Sequence, residues 1–421
     1  MVNSYMHIQG PATSPLKHKL VISPRFRKSY LYLILCLAIR THLGIFFPMF
    51  IENLKLTQFR NLKKAEIQFS SKNNLIVGPN GSGKTNILEA LFYIGSGRSF
   101  RTHLDENLAN TDSEFFRIEA GGKIGRHEVQ IEIGVEPGKR KIIKVNSAPI
   151  RKLGELFEYF RLVEFSPYDL EIIIGSPSVR RRYISITIAQ LDPPHVSVLS
   201  DYHKTLAQRN ALLKSFEETP RLSASQEASL AVWDEKLAIH AVQIHQNRKK
   251  YTKKIAELSA DFYRRISGSE EYLKIEYNPS PGLDEFTADH FCEKLASRRQ
   301  REIALGQTMY GPHRDDLKFY IDSLEAKNAA SQGQIKTAVL SLKLAQYEYL
   351  KQKLERLPII LLDEIFSDLD RMRLDFVMNL LPELGQSFMT TSKLSEVNDL
   401  DIFESKFSVE RGVPKSFEEQ S

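Results

Sequence analysis

Gly78, Gly83, Lys84 and Thr85 stand in the order G-x-x-x-x-G-K-T inside LIVGPNGSGKTNILEALFYIG, residues 75–95. A loop of this kind wraps a phosphate chain in backbone N–H groups, and the following helix adds the positive end of its dipole. Gly78, Gly81 and Gly83 permit close approach and unusual φ angles. Lys84 is expected to reach the β- and γ-phosphates and the Thr85 hydroxyl to hold Mg²⁺, with Pro79, Asn80 and Ser82 completing the cradle. Two further groups could complete the chemistry. Asp363 and Glu364 close the apolar run Ile359–Leu362, where Asp363 would orient Mg²⁺ or its water shell and Glu364 would act as general base on a water. Ser331, Gly333 and Gln334 open a run with apolar residues at Ile335, Val339, Leu342 and Ala345, so they sit at the start of a helix.

The elements that must position these groups are legible around them. Leu75–Val77 is a short β-branched run that reads as a buried strand, and Ile87, Leu88, Leu91, Phe92 and Ile94 make one helical face. Ile359–Leu362 reads as a second buried strand, and an acidic pair at the C-terminal end of a parallel strand faces the crevice of the phosphate loop. Residues 51–69 predict two strands, and EVQIEI (128–133) with KIIKV (141–145) predicts an antiparallel hairpin. Residues 196–265 turn helical, with Leu199, Tyr202, Leu206 and Leu213 on one face and Trp233, Leu237 and Ile244 on another, separated near Pro220. Strand character returns at Tyr272–Tyr277 and near Leu317.

The chain has 421 residues, 42% apolar, enough for two or three cores. Its net charge of +6 comes wholly from residues 1–48, which carry six basic and no acidic side chains; the remainder balances at 52 and 52. Any nucleic-acid contact must therefore rest on local patches. With two cysteines, Cys36 and Cys292, a disulfide framework or cysteine metal site is excluded from the body. Tyr30–Ile39 is apolar, but Arg40 and His42 interrupt it before a membrane span is reached. Met49, which opens the strand pattern, is expected to be the working start, and residues 1–48 a poorly ordered extension.

Across residues 49–421 the chain resembles the RecF-type recombination mediators. The resemblance is carried by LTQFRNL (56–62), GPNGSGKTN (78–86), GRSFRT (97–102), FSPYDLEIIIGSPSVRRRY (165–183), YGPHRDDL (310–317), SQGQ (331–334) and LLDEIFSDLD (361–370). It implies an α/β fold: an ABC-type P-loop ATPase head, similar to SMC heads, with an antiparallel β subdomain and an inserted helical lid. Head segments are expected at 49–170 and 306–421, with the lid at 171–305. It implies a slow ATPase using ATP and Mg²⁺, in which Ser331, Gly333 and Gln334 of one subunit close over the γ-phosphate held by the other. Ser367–Asp370 would form the D-loop. Implied partners are gapped, single-stranded and double-stranded DNA, RecR and RecO, in a cytoplasmic, DNA-damage (SOS) setting with RecA loading as outcome.

The sequence departs from wider ABC-type patterns. No Q-loop glutamine appears near Phe165–Asp169, Thr390 and Thr391 stand where a switch histidine is usual, and Ser185 stands where the family carries an acidic residue. Candidate DNA contacts are Arg180–Arg182, Lys139–Lys141 with Lys144, Lys249–Lys250 with Lys253–Lys254, Arg98, Arg101 and Arg314, while His313 reads as structural. The competing readings are a transporter nucleotide-binding subunit, opposed by the missing glutamine and the long insertion, and an SMC-like tether, opposed by the lack of long heptad arms.

Overall fold

The computed structural model of the chain describes residues 47–102, 104–136, 138–217, 222–280, 286–397 and 399–417. Residues 1–46 of the expected extension, and Pro220 between the two helical faces, lie outside the described residues. The alternating pattern that starts at Met49 is β1 (Met49–Phe59), which buries Met49, Ile51, Leu54, Leu56 and Phe59 and pairs antiparallel with β2 (Leu62–Gln68). Leu54 opposes Ile67, and Leu56 opposes Ala65. With β4 (Phe116–Ile124), β5 (His127–Val135), β6 (Ile142–Val145) and β7 (Ala148–Pro149) they form a six-stranded antiparallel sheet, ordered β2-β1-β4-β5-β6-β7. The expected hairpin is β5–β6, with Ile131 opposite Val145.

The strand before the phosphate loop belongs to a second sheet. There β3 (Asn73–Val77), β8 (Leu162–Phe165), β12 (Ile359–Leu362), β13 (Ser387–Thr391) and β14 (Ser405–Glu410) run parallel in the order β14-β3-β13-β12-β8. A short β15 (Val413–Ser416) adds antiparallel at the far edge. Both faces are covered along β3, β8, β12 and β13, which are almost continuously buried, whereas β14 alternates. Ile359 and Leu361 pack with α1 (Lys84–Ser96) and the antiparallel sheet in one core cluster. Ile360 and Leu362 pack in the other, beneath the helices of the second half.

Segment 171–305 contributes α2 (Pro177–Leu191), α3 (His195–Ser215), α4 (Ala224–Ser267), α5 (Ala288–Ser297) and α6 (Arg299–Leu305). Backbone pairing ties it to the second head segment: β9 (Leu273–Asn278) pairs antiparallel with β10 (Asp316–Ile321), and β11 (Leu324–Glu325) extends that sheet. The 44-residue α4, roughly 66 Å long at 1.5 Å per residue, packs along α7 (Gln332–Leu354), with the rings of Tyr251 and Tyr349 stacked 6.0 Å apart. Between α3, α4 and α6, fully buried Arg209 is held by Asp234 at 2.6 Å and Glu302 at 2.7 Å. A buried guanidinium is tolerated there because both carboxylates come with it. Among the described residues, no helix is long and apolar enough to cross a membrane.

Candidate active site

β13 lies between β3 and β12, and the three are parallel, so their C-terminal ends share one edge. Loop 78–83, Thr390–Thr391 and Asp363–Glu364 meet there. Gly78 donates its N–H to Thr391 O at 3.2 Å, and a Cβ at Gly78 would sit 2.3 Å from Val409 O. Only glycine fits that position. Gly81 (φ 77°) and Gly83 (φ 119°) take backbone values that side chains disfavour. Pro79, Asn80 and Gly81 are exposed, while the Ser82 hydroxyl is buried without a hydrogen-bond partner.

Lys84 is 3% exposed. Its ammonium donates to Gly78 O at 2.7 Å and Pro79 O at 3.2 Å and lies 2.8 Å from Glu364 Oε1. Thr85 Oγ1 donates to Asp363 Oδ1 at 3.0 Å. Thr390 Oγ1 donates to the same oxygen at 2.7 Å and accepts the Glu364 N–H at 2.8 Å. Burial holds the Asp363 carboxyl above the usual carboxylate range, against the pull of the Thr390 and Thr85 hydroxyls. Glu364 has φ 52°, a left-handed value for a side chain that prefers otherwise, which marks a position held by its surroundings.

These residues suit a nucleotide and its metal. The orphan Ser82 hydroxyl, the side-chain-free approach at Gly78 and the start of α1 suit a phosphate chain. The Thr85 and Asp363 oxygens are hard donors of the kind Mg²⁺ takes. No cluster of three or more His, Cys, Asp or Glu side chains that could hold a metal occurs among the described residues.

Ser331 lies elsewhere. It caps α7: its hydroxyl accepts the Gln334 N–H, and the Gln334 side-chain carbonyl accepts the Ser331 N–H at 2.8 Å. Gln334 Nε2 reaches Glu271 Oε1 at 2.8 Å. Gly333 O accepts from Arg373 Nη2 at 2.9 Å, and Arg373 Nε donates to Thr337 Oγ1 at 2.8 Å. Arg373 lies on α8 (Arg371–Leu380), whose N-cap is Asp370, the last residue of the expected D-loop. The side chains of Ser367 and Asp368 lie outside the described ones. Among the described residues, no hydrogen bond or ion pair joins Ser331, Gly333 or Gln334 to residues 78–85.

A family profile described as the RecF/RecN/SMC N-terminal domain matches residues 50–414. A DNA replication and repair protein RecF from Acetivibrio thermocellus is 37% identical over 363 residues, covering 85% of this chain and 95% of its own. The chain belongs to the RecF family. A RecF from Clostridioides difficile is likewise 37% identical, over 86% of this chain and 97% of its own. A structure of the recombination mediator RecF with ATP, in the RecFOR pathway, superposes with a TM-score of 0.82 at 33% identity, covering 89% of this chain and all of that one. The fold is thus the RecF form of the ABC-type ATPase head, and the chain is a DNA replication and repair protein of that family.

The stretches specific to RecF-type chains turn out to be structural clasps. Gly311 (φ 128°) opens the GPHRDD turn, where a Cβ would meet Tyr202 Oη at 2.5 Å. His313 bridges Tyr202 Oη at 2.6 Å and Thr308 O at 3.0 Å, and burial pushes its imidazole down to about 4. Asp315 meets Arg248 at 2.8 Å, and Asp316 meets Arg180 at 2.6 Å. Arg180 is buried, so the Arg180–Arg182 run is not a solvated basic face as a whole. Arg182 donates to Ser99 O and Thr102 O, and Arg101 and Arg60 clamp buried Glu89. Lys139 pairs with Glu136, Lys141 pairs with Asp105, and Arg314 reaches Gln307.

Near Phe165–Asp169, where no Q-loop glutamine stands, the structure has an ion-pair triad. Lys343 lies between Asp169 (2.6 Å) and Glu164 (3.0 Å), all buried. Burial and the Glu164 charge push the Asp169 carboxyl up to about 8. Sequence reasoning missed this triad, and it placed Thr390 at the switch-histidine position without giving it a role. The signal for Thr390, a hydroxyl ending a buried strand, was present but is common.

Proposed function

We infer that this chain is an ATP-gated DNA clamp: a slow, Mg²⁺-dependent ATPase whose closed form is a homodimer. The observation that supports this best is the separation of Ser331, Gly333 and Gln334 from the phosphate loop, with the capped, half-exposed start of α7 held ready by Arg373 and Glu271. A hydroxyl and helix-start N–H groups of this kind suit the phosphate held by a second copy.

Lys84 and the N–H groups of 78–85 would bind the phosphates, and Thr85 and Asp363 would hold Mg²⁺, which supplies charge neutralisation. Lys84, drawn to phosphate, would loosen its 2.8 Å contact with Glu364. Glu364 would then accept a proton from the attacking water, while Thr390 fixes its backbone. Segment 171–305 would serve as the lid. By family, the closed dimer would hold gapped, single-stranded or double-stranded DNA, work with RecR and RecO in the cytoplasm, and assist RecA loading.

The test is sedimentation of Glu364→Gln with Mg-ATP, with and without gapped duplex. Hydrolysis should fall by about 10²–10⁴-fold while an ATP-dependent dimer persists and retains DNA, less at high salt. A monomer under all conditions would refute the cross-subunit reading.

A further inference from the structure

Beyond the nucleotide site, basic side chains gather at the other end of α1. A cavity of about 730 Å³ opens there, nucleotide-sized or larger. Its lining includes Arg98, just past the end of α1, and Arg151 and Lys152 beyond β7. Arg181 and Arg182 of α2 and Lys204 of α3 join them. Arg248 of α4, 3% exposed, also lines it; its Nε has no hydrogen-bond partner although Nη1 holds Asp315 and Pro312 O.

Among the described lining residues Asp201 is the one carboxylate, and it lies 3.2 Å from Lys204. The cations also act on one another. After burial, Arg98 is the largest influence lowering the Arg182 guanidinium, against Glu164, and Arg248 that lowering Arg181, against Asp316 and Asp315 behind the lining. His203, on the same lining, is lowered by burial and then by Arg248, Arg98 and Arg181. Basic side chains that outnumber the carboxylates on a cavity lining favour entry of an anion.

We propose that this cleft is a second phosphate site, distinct from the phosphate loop, which takes a run of phosphates as presented by a nucleic-acid strand or by a free polyphosphate. α1 spans 13 residues, so the two sites lie roughly 20 Å apart along one rigid helix. Residues from all three chain segments line the cleft, so an occupant would bridge them. For the strand source, the inference deepens the DNA-binding reading by naming where a backbone would enter.

The test uses the full chain and two probes: a labelled single-stranded oligonucleotide and inorganic tripolyphosphate as its competitor. Arg98 and Arg151 are exposed, so reversing both should leave the fold intact, with fluorescent-ATP affinity unchanged as the control. In Arg98→Glu/Arg151→Glu, oligonucleotide affinity should fall about ten-fold or more, and its log–log salt slope should shrink by about 1.4, two contacts at ~0.7 each. Displacement of the oligonucleotide by tripolyphosphate, in Lys84→Met protein, would identify a free polyphosphate as an accepted ligand; a lack of displacement would identify the strand. Arg98→Gln/Arg151→Gln repeats the test if the reversal disturbs ATP binding. Unchanged oligonucleotide and tripolyphosphate affinities would overturn the proposal. So would an equal loss in Lys250→Glu/Lys253→Glu, which alters a basic patch elsewhere on α4.

Discussion

At the phosphate loop, Lys84 is buried and divided among two backbone carbonyls and Glu364, and Thr85 and Thr390 converge on one oxygen of Asp363. At the start of α7, Ser331 is exposed, and its hydrogen bonds run only to its own helix, with support from Arg373 and Glu271 behind it. The first region is tied together within one chain. The second has a finished back and an open front. Under the proposed function the two would be parts of one chemistry, built to different degrees because one phosphate would be held by two copies.

The most damaging way to break this comparison is Lys84→Met. It should abolish ATP binding and, with it, ATP-dependent DNA retention; equilibrium binding of fluorescent ATP measures the first and filter retention of labelled duplex the second. Retention equal to wild type at saturating ATP would detach the loop from the clamp. Ser331→Arg should give the opposite profile. ATP affinity of the monomer stays within about two-fold, because an exposed substitution away from the loop costs it little, but the ATP-dependent dimer is lost on sedimentation. A normal dimer would show that the open front is merely a helix cap.

Arg373→Ala sharpens the comparison by removing support without touching the front. Removing the Arg373 hydrogen bonds to Gly333 O and Thr337 Oγ1, which stay bonded to each other, should cost about 1–3 kcal/mol, read as a lower unfolding midpoint and a weaker dimer with unchanged monomer ATP binding. The smallest effect lies away from both regions. His313 binds its proton only near pH 4 in the fold, whereas an unfolded histidine does so near 6.5. The unfolded state therefore takes up more protons between those values, and stability is present above pH 6.5 and lost as pH falls toward 4. His313→Gln should show a shallower loss of melting temperature over that window. An identical pH profile would mean that His313 is not the group responsible.

Much of the phosphate-loop region is readable in the sequence because its chemistry is local. Gly78 to Thr85 lie within eight positions, and a strand before and a helix after suffice to place them. Asp363 and Glu364 are readable for the same reason, as a buried run ending in two acids. Thr390 is not, because its role depends on β13 lying between β3 and β12, and strand order is set by packing across more than 300 residues of chain. The basic clusters mislead for a related reason. Arg180, Arg181 and Arg182 are neighbours in sequence, but Arg180 meets Asp316, Arg181 reaches Asp315 O and Arg182 reaches Ser99 O.

By itself, then, the sequence determined the loop, the acidic pair, the helix cap at Ser331 and the two kinds of sheet. Each arises from residue type at short spacing, where propensity and periodicity act directly. Only the tertiary structure decided which hydroxyl sits on Asp363, which partners the arginines meet, and which of them also line a cavity. Those outcomes depend on what distant segments bring alongside, since a charge is neutralised or left bare by its neighbours in space.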